Sequence, residues 1–534
     1  MNRLLLLIHI NLLLISCQSS ILQENKKVFR YNAGNGITSL DPAFSSNQDN
    51  IWAVNQLFNG LVSLDTTLHA KPALAERWQI TNNGKIYTFH LRNDVYFHLD
   101  PCFNGKRKKC TARDVQYSFE RLVDPKTASP GAWIFNDKVG PKGFVVLDDS
   151  TFQITLNEAF APFLGILSMS YCNVVPKEAI EYYGKSFGHH PVGTGPFQFF
   201  LWEDDVSLVL HKNSNYFETF ENQRLPLLDA VQVSFIKNKE MALLQFLEGK
   251  SDLYNGLVSS VKDEVLTQAG TLKAKWADAI SLEIQPFLNT EYLAMWVDDQ
   301  SSAHPFNSIH FRQALNCAVN KDAMLQYLRN NIGRPANGGF IPIGLPGHLE
   351  QASFQYSPNR AIELLTQSGY LANPTPITLT TTAEYLDLCV YIQQQLNDVG
   401  VVCELEVLPS AQIKEAKRNG KLTFFRASWI MDYPDAENYL SCFYSPNFSP
   451  NGPNYTHFKN LEFDQLYQQA LLEVNDNERL KIYHQMEEII IREAPVLVLF
   501  YDESIRMLSK RVVNIPNNAI NILNLKKADI LPHN

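Results

Sequence analysis

The stretch Ile86-Tyr87-Thr88-Phe89-His90-Leu91-Arg92 alternates apolar and polar side chains. Successive side chains of a β-strand point to opposite faces, so this pattern predicts a strand with one apolar face. Segment 206–210 shows the same alternation. Apolar residues recur with helical spacing in further segments, namely 112–123, 240–247, 311–328, 359–367, 386–399 and 477–491. Strand and helix patterns are mixed throughout the chain, which predicts the α/β class.

The size and composition of the chain indicate a folded protein with more than one domain. Without its first 16 residues the chain still has 518, which is too many for a single core. Hydrophobic residues make up 45% and charged residues 19%, as in ordinary globular proteins. The net charge of −9 argues against nucleic acid as a partner.

The N-terminus has the pattern of an export signal. A basic start, Met1-Asn2-Arg3, precedes a mostly apolar run over residues 4–15, too short to span a membrane. The tetrad Leu14-Ile15-Ser16-Cys17 resembles the bacterial lipobox, in which the cysteine thiol is lipidated. We therefore expect a signal peptide over residues 1–16, lipidation at Cys17, a polar tether over residues 17–27, and a protein anchored in the cell envelope. An ordinary signal peptide with a chance cysteine is the alternative.

The remaining cysteines and the absence of common catalytic motifs limit the chemistry that the protein can carry out. Cys102 and Cys110 flank a basic polar loop, and in an oxidising envelope they could form a disulfide; free buried thiols are the alternative. The sequence contains no GxSxG, HExxH, P-loop or CxxC pattern. We therefore predict that the protein is not an enzyme and that it holds neither a cofactor nor a metal.

A series of phrases along the chain resembles the family 5 extracellular solute-binding proteins, which include the oligopeptide- and dipeptide-binding receptors of ABC importers. The phrases carrying the resemblance, each weak alone, keep the order of that family: Ser39-Leu40-Asp41-Pro42, Leu57-Phe58-Asn59-Gly60-Leu61, Leu74-Ala75-Glu76-Arg77-Trp78, Thr111-Ala112-Arg113-Asp114-Val115, Pro191-Val192-Gly193-Thr194-Gly195-Pro196-Phe197, Leu247-Glu248-Gly249-Lys250-Ser251-Asp252, Phe311-Arg312-Gln313-Ala314-Leu315 and Trp429-Ile430-Met431-Asp432-Tyr433-Pro434-Asp435. They extend from about residue 28 to about residue 520.

The resemblance implies a type II periplasmic-binding-protein fold, with two lobes around a hinge and an additional inserted domain. The expected boundaries are 28–56, 190–285 and 500–534 for a discontinuous lobe I, 57–189 for inserted domain II, and 286–499 for lobe III. The implied function is capture of peptides and their delivery to ABC permease subunits by a monomeric, lipid-anchored receptor. Alternatives are a receptor of the same family for a nickel chelate, haem, a sugar or a murein peptide, and a lipid-anchored envelope enzyme.

The same resemblance implies the ligand-binding residues. In the peptide receptors an Asp three residues after a Trp binds the peptide amine, which nominates Asp432 after Trp429; a turn cap is the alternative role, and Asp435 could substitute. Arg426 occupies the place of an Arg that meets a ligand carboxylate, and Lys417 or Arg418 could serve ligands of other lengths. Trp429 and Tyr292 are expected to line the cleft unless they belong to the core. The backbone of Ile37 is expected to meet the ligand.

Overall fold

The computed structural model describes residues 26–256, 261–297, 304–350 and 353–532. The predicted signal peptide, the lipidation site Cys17 and all but the end of the tether lie outside the described residues. The strands are β1 Val28–Asn32, β2 Val62–Leu64, β3 Ala70–Pro72, β4 Ala75–Thr81, β5 Ile86–Leu91, β6 Val139–Asp148, β7 Thr151–Leu156, β8 Phe197–Glu203, β9 Ser207–Lys212, β10 Thr219–Phe220, β11 Gln223–Arg224, β12 Ala230–Ser234, β13 Leu253–Asn255, β14 Ile280–Met295, β15 Arg334–Pro335, β16 Ile377–Thr381, β17 Cys403–Val407, β18 Phe424–Ile430, β19 Val496–Ser509, β20 Val512–Val513 and β21 Asp529–Ile530.

Helices connect these strands and cover the sheets. They are α1 Gln48–Leu57, α2 Ala112–Val123, α3 Phe163–Leu167, α4 Lys177–Tyr183, α5 Lys239–Leu247, α6 Lys262–Val265, α7 Ile309–Ala318, α8 Lys321–Arg329, α9 Pro358–Gln367, α10 Leu386–Asp398, α11 Ser410–Arg418, α12 Glu437–Leu440, α13 Leu461–Leu472 and α14 Asp476–Glu493. In the described ranges, no helix is long and apolar enough to cross a membrane.

Most of the predicted strands and helices are confirmed, but one segment that was predicted as a single helix is wrong. Strand β5 buries Tyr87, Phe89 and Leu91 on one face, as the alternation predicts. The helix predicted over residues 311–328 is instead two helices, α7 and α8. Asn320 interrupts it, because its side chain accepts a hydrogen bond from the Ala323 N–H at 3.0 Å and caps the start of α8.

One mixed sheet of eleven strands forms the body of the protein. Its strands follow the order β17-β16-β18-β14-β19-β13-β1-β12-β9-β8, with β15 paired to β19 beside this path. A separate antiparallel sheet, β4-β5-β7-β6, lies wholly within the predicted inserted domain. Strands β14 and β19 pair antiparallel, and both run across predicted boundaries between lobes I and III. The register of this pairing shifts between Pro286 and Thr290, close to the predicted boundaries. The domain boundaries themselves stay predictions.

The phrase around Gly193 and Gly195 packs against the end of α1. A Cβ on Gly193 would lie 2.0 Å from the Leu57 carbonyl oxygen, and one on Gly195 would lie 2.4 Å from the Leu57 carbonyl carbon. The Gly195 N–H donates to the Leu57 carbonyl at 2.9 Å. Glycine is required here because the two backbones approach too closely for any side chain.

All seven described cysteines, including Cys102 and Cys110, are free thiols. The loop between these two is tied back to the preceding segment by backbone bonds, from Phe97 N–H to Lys108 and from Cys110 N–H to Val95. Hydrogen bonds therefore close this basic loop without a disulfide.

Candidate ligand-binding site

The predicted amine anchor and its neighbouring tryptophan are organised by one amide side chain. The Trp429 Nε1–H donates to the Asn438 Oδ1 at 3.0 Å, and the Asp432 backbone N–H donates to the same oxygen at 3.2 Å. The Asn438 Nδ2–H in turn donates to Asp432 Oδ2 at 3.4 Å. Asn438 is almost fully buried at the second position of α12, so it fixes the chain that follows β18.

Asp432 combines solvent contact with partial desolvation. The residue is exposed, yet nearby protein atoms displace enough water to raise the pKa of its carboxyl, against the lowering effect of Asn438. Burial raises the pKa of the Tyr171 hydroxyl, in the predicted inserted domain, and the charge of Asp432 raises it further. An exposed carboxylate between two parts of the protein suits a cationic ligand group.

The strand that leads to Asp432 has one largely unpaired edge. Strand β18 pairs with β14 along its whole length, from Met295 opposite Phe424 to Asn289 opposite Ile430. Within the described part of the chain, its other edge pairs only once, where Phe425 lies opposite Thr380 of β16. The edge beyond Phe425 therefore offers backbone donors and acceptors to an added extended chain.

Arg426 and Trp429 leave β18 on opposite faces of the sheet, because they are an odd number of residues apart. Trp429 packs against the core cluster that also holds Tyr292 and Ala427. Arg426 instead forms an ion pair with Glu291 of β14, and its guanidinium carbon lies 3.3 Å from the ring centroid of Tyr385. The side chains of Arg426 and Glu291 are only 14% and 6% exposed.

A hydrogen-bonded chain continues from this pair towards the register shift. Asn289 Nδ2–H donates to Glu291 Oε1 at 3.0 Å and to Asp502 Oδ2 at 3.3 Å, and Arg329 donates to Asp502 Oδ1 at 2.7 Å. Asp502 and Arg329 line a cavity of about 290 Å³, together with Phe287 and Glu503, which lie at the register shift. Hydrogen bonds thus connect the Arg426 side of β18 to this cavity. Asn289 Oδ1 is buried and has no hydrogen-bond partner among the described residues.

Lys417 differs from Arg426 in having no carboxylate partner among the residues that the structure describes. Lys417 lies on helix α11, and its ammonium nitrogen is 4.3 Å from the ring centroid of Tyr455. Burial lowers the pKa of Lys417. A desolvated cation without an anionic partner is a better candidate for a ligand carboxylate than one already paired.

The other predicted residues take different positions. Tyr292 is 3% exposed and packs edge-on against Phe340 in the core, so its side chain does not line a surface here. Ile37 is also buried, but in the described chain no hydrogen-bond partner meets its backbone N–H or C=O, which suits the predicted backbone contact. Asp435 is buried and accepts a hydrogen bond from the Tyr483 hydroxyl at 2.6 Å, so its carboxylate stabilises the fold and does not face a ligand here.

Sequence reasoning missed Asn438, Glu291, Tyr385 and Tyr171. Asn438 lies only six residues after Asp432, so a search of the nearby sequence for a side chain able to hydrogen-bond Asp432 could have found it. Glu291 was detectable only if the pairing of β14 with β18 had been known. The described ranges contain no group of three or more His, Cys, Asp or Glu side chains able to hold a metal ion.

The large mixed sheet thus has a largely unpaired strand edge that leads to an exposed acid. The chain belongs to the bacterial extracellular solute-binding proteins, family 5, whose family model matches residues 69–451. It is 27% identical to the dipeptide-binding protein DppE of Bacillus subtilis over 95% of this chain and 92% of that protein. It is 29% identical to the heme-binding protein A of Haemophilus influenzae over 86% of this chain and 84% of that protein.

A solved structure supports the same assignment. The periplasmic binding protein DppA of Helicobacter pylori, in complex with the peptide STSA, matches with a TM-score of 0.73 and 27% identity, over 94% of this chain and 97% of that one. The predicted family and the predicted type II periplasmic-binding-protein fold are confirmed. The family and these relatives are solute-binding proteins.

Proposed function

We propose that this protein captures peptides in the cell envelope and delivers them to the permease of an ABC importer, as a monomer without chemistry on the ligand. The observation that carries the proposal is the position of Asp432 at the end of the unpaired edge of β18. An extended peptide added to that edge would satisfy its own backbone by strand pairing, as in β-augmentation. Its charged amine would then meet Asp432, which matches the dipeptide and peptide ligands in the names of the relatives.

The same acid disfavours the main alternative within the family. Haem carries two propionate groups, and a carboxylate at a partly desolvated position would repel them. A peptide instead brings a cation to Asp432, while its carboxylate has Lys417, or Arg426 if it displaces Glu291, as a partner. A peptide ligand therefore fits the charges of the site better than haem, despite the 29% identity to a haem-binding relative.

Membrane attachment is part of the proposal. Lipidation at Cys17 would hold the protein at a membrane through acyl chains, each gaining about 0.8 kcal/mol per buried methylene. Replacing this residue, Cys17→Ser, should leave a folded protein that no longer partitions into detergent. Unchanged partitioning of the variant would contradict the lipid anchor alone.

The ligand class is tested by mass spectrometry of ligand that co-purifies with untagged protein from a bacterial host. Intact peptides in stoichiometric amounts are the expected result. Co-purified haem, a metal chelate or a sugar would replace peptide as the ligand. Steady loss of added peptide, scaling with protein concentration, would instead establish hydrolysis and overturn the assignment as a receptor.

A further inference from the structure

Three apolar side chains are exposed within one hairpin at an edge of the main sheet. Phe200 and Leu201 lie in β8 and Val206 lies in the turn that follows it, and they are 58%, 42% and 60% exposed. Among the described strands, β8 ends the sheet and pairs only with β9. We call these three residues the β8 patch. Apolar side chains grouped at a surface mark a contact with a protein or a membrane.

The geometry of β8 makes another strand a poor occupant of this edge. Phe199 pairs with Leu210 and Leu201 pairs with Val209, so Phe200 is the extra residue of a β-bulge. The ring of Phe200 stacks on the ring of His211, with 3.9 Å between the centroids. A bulge interrupts the regular row of donors and acceptors that an added strand needs. The β8 patch therefore presents side chains, and not a regular backbone edge, to its partner.

The start of the described chain lies on the same part of the sheet. The chain enters β1 from Lys27, and Val28 of β1 lies opposite Ala230 of β12. Ala230 in turn lies opposite His211 of β9, and His211 lies opposite Gln198 of β8. Strands β1 and β8 are thus three strand spacings apart, or about 14 Å.

The predicted lipid anchor would therefore bring the β8 patch close to a bilayer. Residues 17–25 can span at most about 32 Å even when fully extended. Lipidation at Cys17 would thus keep Lys26 within that distance of the membrane, together with the strands beside β1. Aromatic and aliphatic side chains on such a surface can enter the boundary between lipid headgroups and acyl chains.

The charges around the patch are mixed in sign. The Asp205 carboxylate lies 3.2 Å from the Lys237 ammonium, and the Asp204 carboxylate lies 3.6 Å from Nε2 of His189. Acidic and basic side chains therefore lie side by side at this turn. Contact with a bilayer would rest on burial of apolar side chains and not on attraction to anionic lipid.

We propose that the β8 patch is a membrane-contact surface that enters the interfacial layer of the bilayer holding the lipid anchor. Phe200 and Leu201 insert at the headgroup boundary, so the protein has a second contact besides its acyl chains and takes a fixed orientation on the membrane. This inference rests on the lipid anchor in the proposed function and is independent of the ligand class.

The contact is tested with lipidated full-length protein in vesicles of zwitterionic phosphatidylcholine whose acyl chains are brominated, because bromine quenches tryptophan fluorescence only at short range. Phe200→Trp and Leu201→Trp each place a reporter in the patch. Val407→Trp is the matched control, because Val407 is 44% exposed on β17, the strand at the opposite end of the same sheet. The signal of the seven native tryptophans is subtracted with wild-type protein. Thermal melting verifies that each variant is folded.

Both patch reporters should lose fluorescence on brominated vesicles relative to vesicles without bromine, whereas Val407→Trp should keep it. The loss should persist in high salt, because burial of apolar side chains is not screened. Equal fluorescence of both patch reporters on the two kinds of vesicle, with the protein anchored, would overturn the inference. A dimer in detergent that Phe200→Ser dissociates would assign the patch to a second copy instead. Wild-type protein that fails to float with vesicles would overturn the lipid anchor itself and this inference with it, and flotation distinguishes that outcome from the others.

Discussion

Glu291 and Arg426 form an ion pair between the adjacent strands β14 and β18, and both side chains are almost fully buried. The two residues are diagonal neighbours on the same face of the sheet, because Glu291 is opposite Ser428 and Arg426 lies two residues before Ser428. The guanidinium also covers the ring of Tyr385. A ligand carboxylate would therefore have to share or displace Glu291, so the role predicted for Arg426 stays a prediction.

We expect Arg426→Met to destabilise the protein by about 3–5 kcal/mol, because it leaves Glu291 as an uncompensated buried charge. Glu291→Gln should have a similar effect, and the double variant should be less destabilised than the two single effects added together. Chemical denaturation measures these differences. Arg360→Met is the control, because its ion pair with Glu363 is exposed and should contribute little. Stability unchanged by Arg426→Met, with lost peptide binding, would assign Arg426 to the ligand instead.

Asp432→Asn should weaken binding of peptides with a free amine by about 1.5–3 kcal/mol, as expected when a hydrogen bond between charged groups is lost. Because desolvation raises the pKa of the Asp432 carboxyl, binding should be strongest above that pKa and decline as falling pH protonates it. Calorimetry over a pH series, with free and N-acetylated peptides, measures both effects. Asp435→Asn cannot serve as the control, because Asp435 is buried and its replacement should destabilise the fold. Equal affinity for free and acetylated peptides would exclude Asp432 as the amine partner.

Lys417→Met should reduce affinity for peptides with a free carboxyl terminus and leave amidated peptides little affected. A lost charge-assisted hydrogen bond corresponds to about 1.5–3 kcal/mol, or roughly tenfold to a hundredfold in affinity. Lys414→Met, on the exposed side of the same helix, is the control. If free and amidated peptides lose affinity equally, Lys417 supports the fold through Tyr455 and does not meet the ligand.

Backbone pairing with the edge of β18 predicts tolerance of neutral side chains and sensitivity to lost donors. An internal Pro in the peptide removes an N–H, and a buried partner left unsatisfied costs about 1–3 kcal/mol. A calorimetric scan in which one peptide N–H at a time is methylated should show losses at alternating positions, since alternate residues point towards a strand partner. A uniform or absent effect would argue against strand addition.

Glu487 should make stability depend on pH in a direction opposite to that of an ordinary salt-bridged acid. Burial raises the pKa of Glu487 to about 8, and the carboxyl accepts a hydrogen bond from the Ile341 N–H at 3.1 Å. The folded state thus keeps a proton that the unfolded chain releases above the ordinary pKa of a glutamic acid, about 4.3. Stability from this group is complete below the unfolded pKa and is lost as pH rises through about 8.

Glu487→Gln should therefore flatten the decline in melting temperature between mildly acidic pH and pH of about 8. The amide keeps an oxygen for the Ile341 N–H. Glu488→Gln is the matched control, because Glu488 is adjacent in sequence and exposed. An unchanged pH profile in Glu487→Gln would mean that Glu487 is ionised in the folded protein.

The amino-acid sequence determined the local elements and the family. Alternation alone located β5, and helical spacing over residues 359–367 located α9, since both patterns depend on residues that are close together in the chain. The order of the short phrases along the chain was enough to indicate the family, because each phrase is constrained by its own packing. The three-residue spacing of Trp429 and Asp432 is also a local feature of the sequence, and in the structure both residues are hydrogen-bonded to Asn438 in the candidate site.

Tertiary structure alone decided which charges are free to meet a ligand. Arg426 and Lys417 are equally cationic in sequence, but Glu291, 135 residues before Arg426, neutralises only one of them. Tyr292 looked like a cleft residue until the pairing of β14 with β18 turned it towards Phe340. The physical reason is that pairing and desolvation are properties of neighbours in space, and strand pairing across long sequence separations brings those neighbours together.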